Sequence, residues 1–159
     1  MIRPALILTA MLSLAACASP PGLAPEQQVK ALFVGQVESA RYLTTLQDVM
    51  PDEGDTLWHG EVYEVKLKVT DRLSGGPVGK SMTLKVTAHA RRFEGMTLAV
   101  MTDPNMTFYG VNLGTSWWEH VSPEASTLCV PDGLLGDEAY AAFVARSTAA
   151  DDSHCLEIR

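Results

Sequence analysis

The chain has 159 residues, a formal net charge of −7 and 47% hydrophobic residues. This length and composition are typical of one globular domain with its own hydrophobic core. The acidic balance argues against nucleic acid and anionic lipid as partners, because both select Lys and Arg.

The first 16 residues have the layout of an export signal. Arg3 supplies one positive charge, and the run from Pro4 to Ala16 is apolar apart from Thr9 and Ser13. This run is too short to span a bilayer as a helix, which takes about 20 residues. The alternative is a buried N-terminal helix, which conflicts with the Pro and Gly cluster that follows Cys17.

The end of this run, Leu14-Ala15-Ala16-Cys17, resembles the lipobox of bacterial lipoproteins at all four positions. The resemblance implies that the Cys17 sulfur takes a diacylglyceryl group, that the chain is cut before Cys17, and that the new amine is acylated. Two or more acyl chains give stable anchoring where one gives only reversible binding. Ala18 follows the cysteine, a pattern similar to that of lipoproteins of the outer membrane. The expected location is therefore the outer membrane, with the domain facing the periplasm.

We predict a signal peptide over residues 1–16, a lipidated cysteine and tether over 17–25, and one domain over 26–159. The tether has three prolines between Ala18 and Pro25 and no charge, which favours an extended chain. Because the domain is acidic, we expect it to hang from the tether and not to lie flat on the membrane.

Strands dominate the predictions for the first half of the domain. The segment from Leu32 to about Leu43 is predicted as the first strand, and the polar segment 47–60 as a surface loop. Apolar and polar residues then alternate from Tyr63 to Thr70 and from Met82 to Ala90. This period of two predicts two strands that each bury one face, joined by a long hairpin loop over 74–79.

The second half is predicted to contain shorter elements. Predicted strands cover 96–102, 106–113 and 116–121, and the segment 123–131 is predicted to be irregular. Asp137 is the expected N-cap of a helix that carries Tyr140, Phe143 and Val144 on one face. The segment 155–158 is predicted as a last edge strand.

These elements predict a mainly β fold, a small antiparallel barrel or sandwich with one C-terminal helix. Residues 32–90 resemble the start of netrin-like modules, which include the tissue inhibitors of metalloproteinases, through Phe33-Val34-Gly35-Gln36-Val37 and Gly75-Gly76-Pro77-Val78-Gly79-Lys80. The resemblance implies a small OB-like barrel, of the oligonucleotide/oligosaccharide-binding type. Those inhibitors act through a free amine on an N-terminal cysteine. An acylated Cys17 has no such amine, so that mechanism is not expected.

Two cysteines, Cys129 and Cys155, remain once Cys17 is lipidated. An even remainder in an exported chain predicts a disulfide between them. The alternative is a pair of metal-ligand thiolates beside His154, but the chain has no CxxC and no second His at ligand spacing. We predict no metal and no cofactor.

Three tryptophans are the candidate binding residues. Trp117 and Trp118 are neighbours on a predicted strand and should point to opposite faces, so one should be buried and the other exposed. An exposed Trp is a contact hot spot or a stacking platform for a sugar. The alternative is that one Trp fills the core and the C-terminal helix covers the other. Trp58, in the loop before the long strand, is the third candidate.

The sequence therefore predicts a non-catalytic binding or assembly module for another envelope protein or a glycan. One alternative is a hydrolase that acts on envelope material with Asp and Glu side chains. Another is a loop that inhibits a periplasmic hydrolase. No catalytic residue is predicted, because the chain lacks the usual nucleophile and metal motifs. An enzyme would need a pocket with convergent polar residues, and a binding module an apolar patch around a Trp.

Overall fold

The computed structural model describes residues 29–45, 60–89, 92–108 and 111–158. The predicted signal peptide, Cys17, the tether, Trp58 and nearly all of the 47–60 loop lie outside these residues. Within them the chain is mainly β, with antiparallel sheets and one short helix, as predicted. No helix in these four ranges is long and apolar enough to cross a membrane.

The described elements follow the chain in order. They are β1 (Ala31–Thr45), β2 (Glu61–Gly75), β3 (Ser81–Ala88), β4 (Thr97–Thr102), β5 (Thr107–Phe108), β6 (Val111–Asn112), β7 (Thr115–Val121), β8 (Thr127–Pro131), 3₁₀ turns at Asp132–Leu134 and Glu138–Tyr140, helix α1 (Ala141–Val144), β9 (Thr148–Ala150) and β10 (Ser153–Glu157). The single strand predicted over 106–113 is instead the pair β5 and β6.

The larger sheet has five antiparallel strands in the order β3-β2-β1-β4-β7. The alternation predicted for β2 and β3 is confirmed, because Val65 lies opposite Leu84, Leu67 lies opposite Met82, and all four are buried. They belong to one apolar cluster on the inner face of the sheet, together with Phe33. The hairpin loop between β2 and β3 is longer than two residues, as predicted.

The two edge strands of this sheet, β3 and β7, curl toward each other until some of their Cα atoms lie within 8 Å. In the described part of the chain β3 pairs with β2 and β7 pairs with β4, and no backbone ladder joins the two edges. One side chain spans the gap, since Trp118 Nε1 donates to the Thr87 carbonyl oxygen at 3.2 Å. The five strands therefore form a curled sheet that is not closed by hydrogen bonds.

A three-stranded sheet in the order β8-β10-β9 forms a second layer. Two predictions were wrong here. The segment 123–131, predicted as irregular, contains β8, in which Leu128 and Val130 are buried and their neighbours are exposed. This alternation covers only five residues and lies between Pro123 and Pro131, so it is too short to be recognised as a strand in the sequence. The last strand, predicted at an edge, lies in the centre because β9 pairs with its other side.

Cys129 and Cys155 lie directly opposite each other in β8 and β10 and form a disulfide. Their Cα atoms are 4.0 Å apart, well inside the roughly 7 Å beyond which two cysteines cannot be bridged. The predicted disulfide is confirmed. Both sulfur atoms are bonded, so neither is a thiolate ligand for a metal.

The second layer packs on the outer face of the larger sheet. Leu128, Val130 and Leu156 of the small sheet join Tyr140 and Phe143 in one apolar cluster with the outward residues of β1 and β4. Asp137 caps the turn before α1, as predicted, and accepts a hydrogen bond from the Ala139 N–H at 3.0 Å. The cap places the predicted apolar face of the helical segment against the sheet.

Polar contacts tie the start of β1 to this layer. Lys30 Nζ forms ion pairs with Asp137 and, at 3.2 Å, with Asp103. Its hydrogen bond to Asp137, and then that to Asp103, raise the pKa of Lys30 to about 12. The Tyr140 hydroxyl donates to the Thr102 carbonyl oxygen at 3.1 Å, and burial raises the pKa of Tyr140. The layers are thus joined by buried apolar surface and by a partly exposed ionic cluster.

Replacing both cysteines, Cys129→Ala with Cys155→Ala, should destabilise the domain. The disulfide closes a loop with a sequence separation of 26, so its removal should lower the free energy of unfolding by about 3.5 kcal/mol through the entropy of the unfolded chain. Urea unfolding followed by tryptophan fluorescence measures the change. Wild-type protein in a reductant should match the variant, and an unchanged midpoint in both would contradict the prediction.

The ionic cluster predicts a loss of stability at alkaline pH. Because folding raises the pKa of Lys30, its contribution is complete below about pH 10.5 and is lost as the pH rises through about 12. Lys30→Gln should be less stable than wild type at neutral pH and should lose less stability across this window. Urea unfolding at stepped pH values measures both effects. Tyr140→Phe measures how much of the alkaline loss of stability comes from ionisation of the tyrosine. An equal loss of unfolding free energy in wild type and Lys30→Gln would contradict the prediction.

Candidate binding cleft

A cleft of about 290 Å³ lies where the edges of β3 and β7 approach each other. Its apolar wall consists of Val86, Met106, Phe108, Leu113, Trp117 and Trp118. Thr87, Thr115 and Ser116 supply the polar wall. We call this the tryptophan cleft. It brings together two of the three tryptophans predicted from the sequence.

A bulge in β7 brings its residues to one cleft. Thr115 lies opposite Thr102 and Trp117 lies opposite Met101, so Ser116 is an extra residue with no partner in the register. A bulge bends a strand, increases its twist and re-aims its side chains. This accounts for two consecutive tryptophans that line the same cleft although they pack on different faces of the sheet.

Trp118 is held in place from two sides. Its indole N–H donates to Thr87, and its ring meets Phe93 edge-on at a centroid distance of 5.7 Å. Phe93 meets Tyr63 in the same manner at 5.1 Å. Edge-to-face contacts of this kind stabilise aromatic pairs beyond the area that they bury. One side of the cleft is therefore rigid before any ligand enters.

The sequence predicted opposite faces for Trp117 and Trp118, and the structure agrees, since Trp117 packs on the outer apolar cluster and Trp118 on the inner one. The expectation that one of them is exposed is wrong, because both are half-buried. The second layer covers the outer face and Phe93 the inner one. Among the large hydrophobic residues in the described part of the chain, Tyr42 is the most exposed to solvent, at 49%.

Thr115 contributes an unpaired polar group to the wall of the cleft. The residue is 5% exposed, and its hydroxyl has no hydrogen-bond partner among the residues that the structure describes. Its cross-strand neighbour Thr102 is satisfied, since its hydroxyl accepts from the Ala31 N–H at 2.9 Å and donates to the Val29 carbonyl oxygen at 2.6 Å. A buried polar group without a partner costs about 1–3 kcal/mol, so this hydroxyl lowers the stability of the fold.

A second, polar groove runs between the larger sheet and the C-terminal layer. One cavity of about 500 Å³ is lined by Asp71, Ser126, Arg146, Glu157 and Ile158, and a neighbouring cavity of about 390 Å³ shares Arg146 and Glu157. Arg146 Nη1 donates to the Leu73 carbonyl oxygen at 3.2 Å. The sequence offers no signal for this groove, because Asp71 and Glu157 belong to different sheets and are far apart in the chain.

In the ranges that the structure describes, no three or more His, Cys, Asp or Glu side chains are placed to hold a metal ion. His154 instead forms a contact of 2.7 Å between its Nδ1 and Asp132 Oδ1.

Comparison of this chain with protein-family models, with curated proteins and with solved structures gives no match. The function is therefore inferred from the chemistry of the cleft, the groove and the predicted anchor.

A matched pair of substitutions tests the state of the Thr115 hydroxyl. Thr115→Val should raise the free energy of unfolding by about 1 kcal/mol, because it replaces an unpaired buried hydroxyl with a methyl group of similar size. Thr102→Val should lower it by about 2 kcal/mol, because the Ala31 N–H loses its acceptor. Urea unfolding measures both. A clear loss of stability in Thr115→Val would show that its hydroxyl has a partner in solution.

Proposed function

We propose that this chain is a lipoprotein, anchored through acylated Cys17, that faces the periplasm from the outer membrane and binds another envelope protein or a glycan without catalysing a reaction. The observation that carries the proposal is the tryptophan cleft. Two tryptophans, Phe108 and Met106 surround a space in which apolar side chains or sugar rings pack well.

The proposal includes an OB-like arrangement of the five strands. In support, the strand order ends in β3 and β7, the two strands whose pairing would close such a barrel, and these edges approach each other. The β5–β6 hairpin lies in the connection between β4 and β7. In OB folds the connection between the fourth and fifth strands is one of the loops that contact ligands, which favours binding at this end.

The export of the chain is supported by two independent features. The residues before Cys17 have the length and polarity of a signal peptide, and Leu14 to Cys17 match a lipobox. The Cys129–Cys155 disulfide is the second feature, because disulfides persist in oxidising compartments such as the periplasm.

A second candidate function is hydrolysis of envelope material at the polar groove. It is favoured by Asp71 and Glu157, two carboxylates that line one cavity together with Arg146. A pair of carboxylates provides the general acid and base, or the nucleophile, of glycoside hydrolysis. We rank it below binding because, within the described ranges, Asp71 is only half-buried, Glu157 is exposed, and neither has a charged partner that would make one the acid and the other the base.

Photo-crosslinking in the living cell tests the binding function. A photoreactive residue at position 106, where the half-buried Met106 lines the tryptophan cleft, should trap the ligand in near-stoichiometric amount. Trp118 is less suitable, because its indole N–H and ring are already engaged. The matched control is a probe at Glu119, which follows Trp118 in β7, is exposed and does not line the cleft. Mass spectrometry identifies what is attached and the mass of the Cys17 peptide.

A protein or glycan trapped at position 106 and not at 119 would support the proposal. Equal trapping at both positions, or none at either, would contradict it. Release of glycan fragments by the purified protein, abolished in Asp71→Asn and Glu157→Gln, would support the hydrolase instead. An unmodified Cys17 would overturn the anchor.

A further inference from the structure

Strand β3 is an open edge of the larger sheet. It is eight residues long, and in the described part of the chain it pairs with another strand, β2, on one side only. Its other side faces β7, which it contacts through the hydrogen bond from Trp118 to the Thr87 carbonyl oxygen. An edge of this kind carries a row of unpaired N–H and C=O groups to which another extended chain can bond.

Alternate residues of β3 direct their backbone groups toward this open side. The Val69 N–H donates to the Lys80 carbonyl oxygen at 3.0 Å, so the even-numbered residues of β3 bond to β2. The odd-numbered residues point their N–H and C=O groups the other way, and they are Ser81, Thr83, Lys85 and Thr87. Among the described residues only the last of these is bonded on that side, through its carbonyl oxygen to the Trp118 indole.

The tryptophan cleft lies at the end of this edge. Val86 and Thr87, which directly follow Lys85, both line the cleft. The even-numbered side chains of β3 face the inner apolar cluster, so a strand added beside β3 directs its own alternate side chains toward the same side. No charged residue lines the cleft. The side chain that enters it from an added strand is therefore apolar.

The outer side of the same edge is positively charged. Lys85 points outward, and Lys66 and Lys68 lie across the ladder from Thr83 and Ser81 on the same face. Within the described ranges Lys68 and Lys85 form no ion pair with a carboxylate.

Two carboxylates on this outer face already have partners. Lys66 pairs with Glu38 at 3.1 Å, and Glu64, opposite Lys85, pairs with Arg41 at 2.9 Å. Opposite charges on neighbouring strands stabilise a sheet, whereas like charges destabilise it. The outward side chains of an added strand should therefore be carboxylates, since they lie beside Lys85.

The C-terminal layer rests on other strands of the sheet. The apolar cluster beneath the layer takes residues from β1, β2 and β4 and none from β3, and these residues are Leu32, Val34, Leu73, Ala99 and Met101. In β3 itself Ser81 is exposed, and Thr83 and Lys85 are half-buried. The outer side of β3 thus has no apolar cover from the layer.

The charges and the backbone select one kind of occupant. A second copy of this chain, added edge to edge, would place the lysines of both copies on one continuous face, where they repel. A glycan has no backbone amides with which to complete the ladder. An extended peptide supplies the ladder, and alternation of its side chains lets it place an apolar group in the cleft and carboxylates outside.

We propose that the edge of β3 from Ser81 to Lys85 binds an extended segment of a partner protein as an added strand, with an apolar side chain in the tryptophan cleft and carboxylates beside Lys85. This inference rests on the proposed binding function and narrows its ligand from a protein or a glycan to an acidic, extended peptide.

Selection from a displayed library of random peptides of about ten residues tests the chemistry of the occupant. The full lipidated protein in detergent is the target. Enriched peptides should alternate Asp or Glu with apolar residues. Failure to enrich any peptide, or enrichment of basic peptides, would overturn the proposal.

Amide hydrogen exchange, followed residue by residue by NMR with the best selected peptide, tests the strand addition itself. Exchange at Thr83 and Lys85 should slow by about tenfold or more when the peptide binds, because their N–H groups gain acceptors. Met82 and Leu84, whose N–H groups already face β2, should change little. Binding without protection at Thr83 and Lys85 would overturn the added strand and leave the cleft as a side-chain pocket.

Two variants test the backbone and the charge separately. Thr83→Pro removes an N–H on the open side and spares the ladder to β2, so it should weaken the peptide by about tenfold. Lys85→Glu should weaken it as well, and a peptide with Lys in place of its carboxylates should recover the affinity. Arg72→Glu makes the same change in net charge on β2, beyond the last residue paired with β3, and is the matched control. Equal weakening in that control would assign the effect to net charge and overturn the role of Lys85.

The probe at position 106 separates this inference from the proposed function. A glycan trapped there would leave the binding function standing and overturn the peptide. A trapped protein should lose its crosslink in Lys85→Glu, and a crosslink that survives this change would also overturn the added strand. The absence of any trapped ligand contradicts the proposed function itself.

Discussion

The larger sheet is apolar on both faces, and the rest of the structure depends on this constraint. Five consecutive residues, from Leu98 to Thr102 in β4, are buried, as are the first five residues of β1. A strand with only one buried face would alternate, so these two central strands need a cover on each side. Curling of the sheet supplies the inner cover, and the C-terminal layer supplies the outer one.

The outer cover explains why the C-terminal layer is fastened so firmly. Its own sheet has three short strands and would be marginal alone. The disulfide joins two of these strands, the Asp137 cap starts the helical turn, and Lys30 ties that turn to β1. These contacts hold Tyr140 and Phe143 on the sheet, where their burial stabilises both layers.

The inner cover produces the candidate site. Because the sheet curls without closing, β3 and β7 contact each other through side chains and not through backbone hydrogen bonds. The bulge at Ser116 directs the consecutive residues Trp117 and Trp118 toward the cleft between these two strands. Trp118 bridges the gap, and the Thr115 hydroxyl near it has no hydrogen-bond partner in the described part of the chain.

The sequence by itself determined what depends on local pattern. Strict alternation around Val65 and Leu84 specified strands with one buried face, and Asp137 specified a helix start. The two cysteines that remain if Cys17 is lipidated predicted the disulfide. The exposure of Trp117 and Trp118, the central position of β10 and the polar groove were decided only by the tertiary structure. Each depends on which surface packs over a strand or which strand lies beside it, and those contacts join residues far apart in the chain.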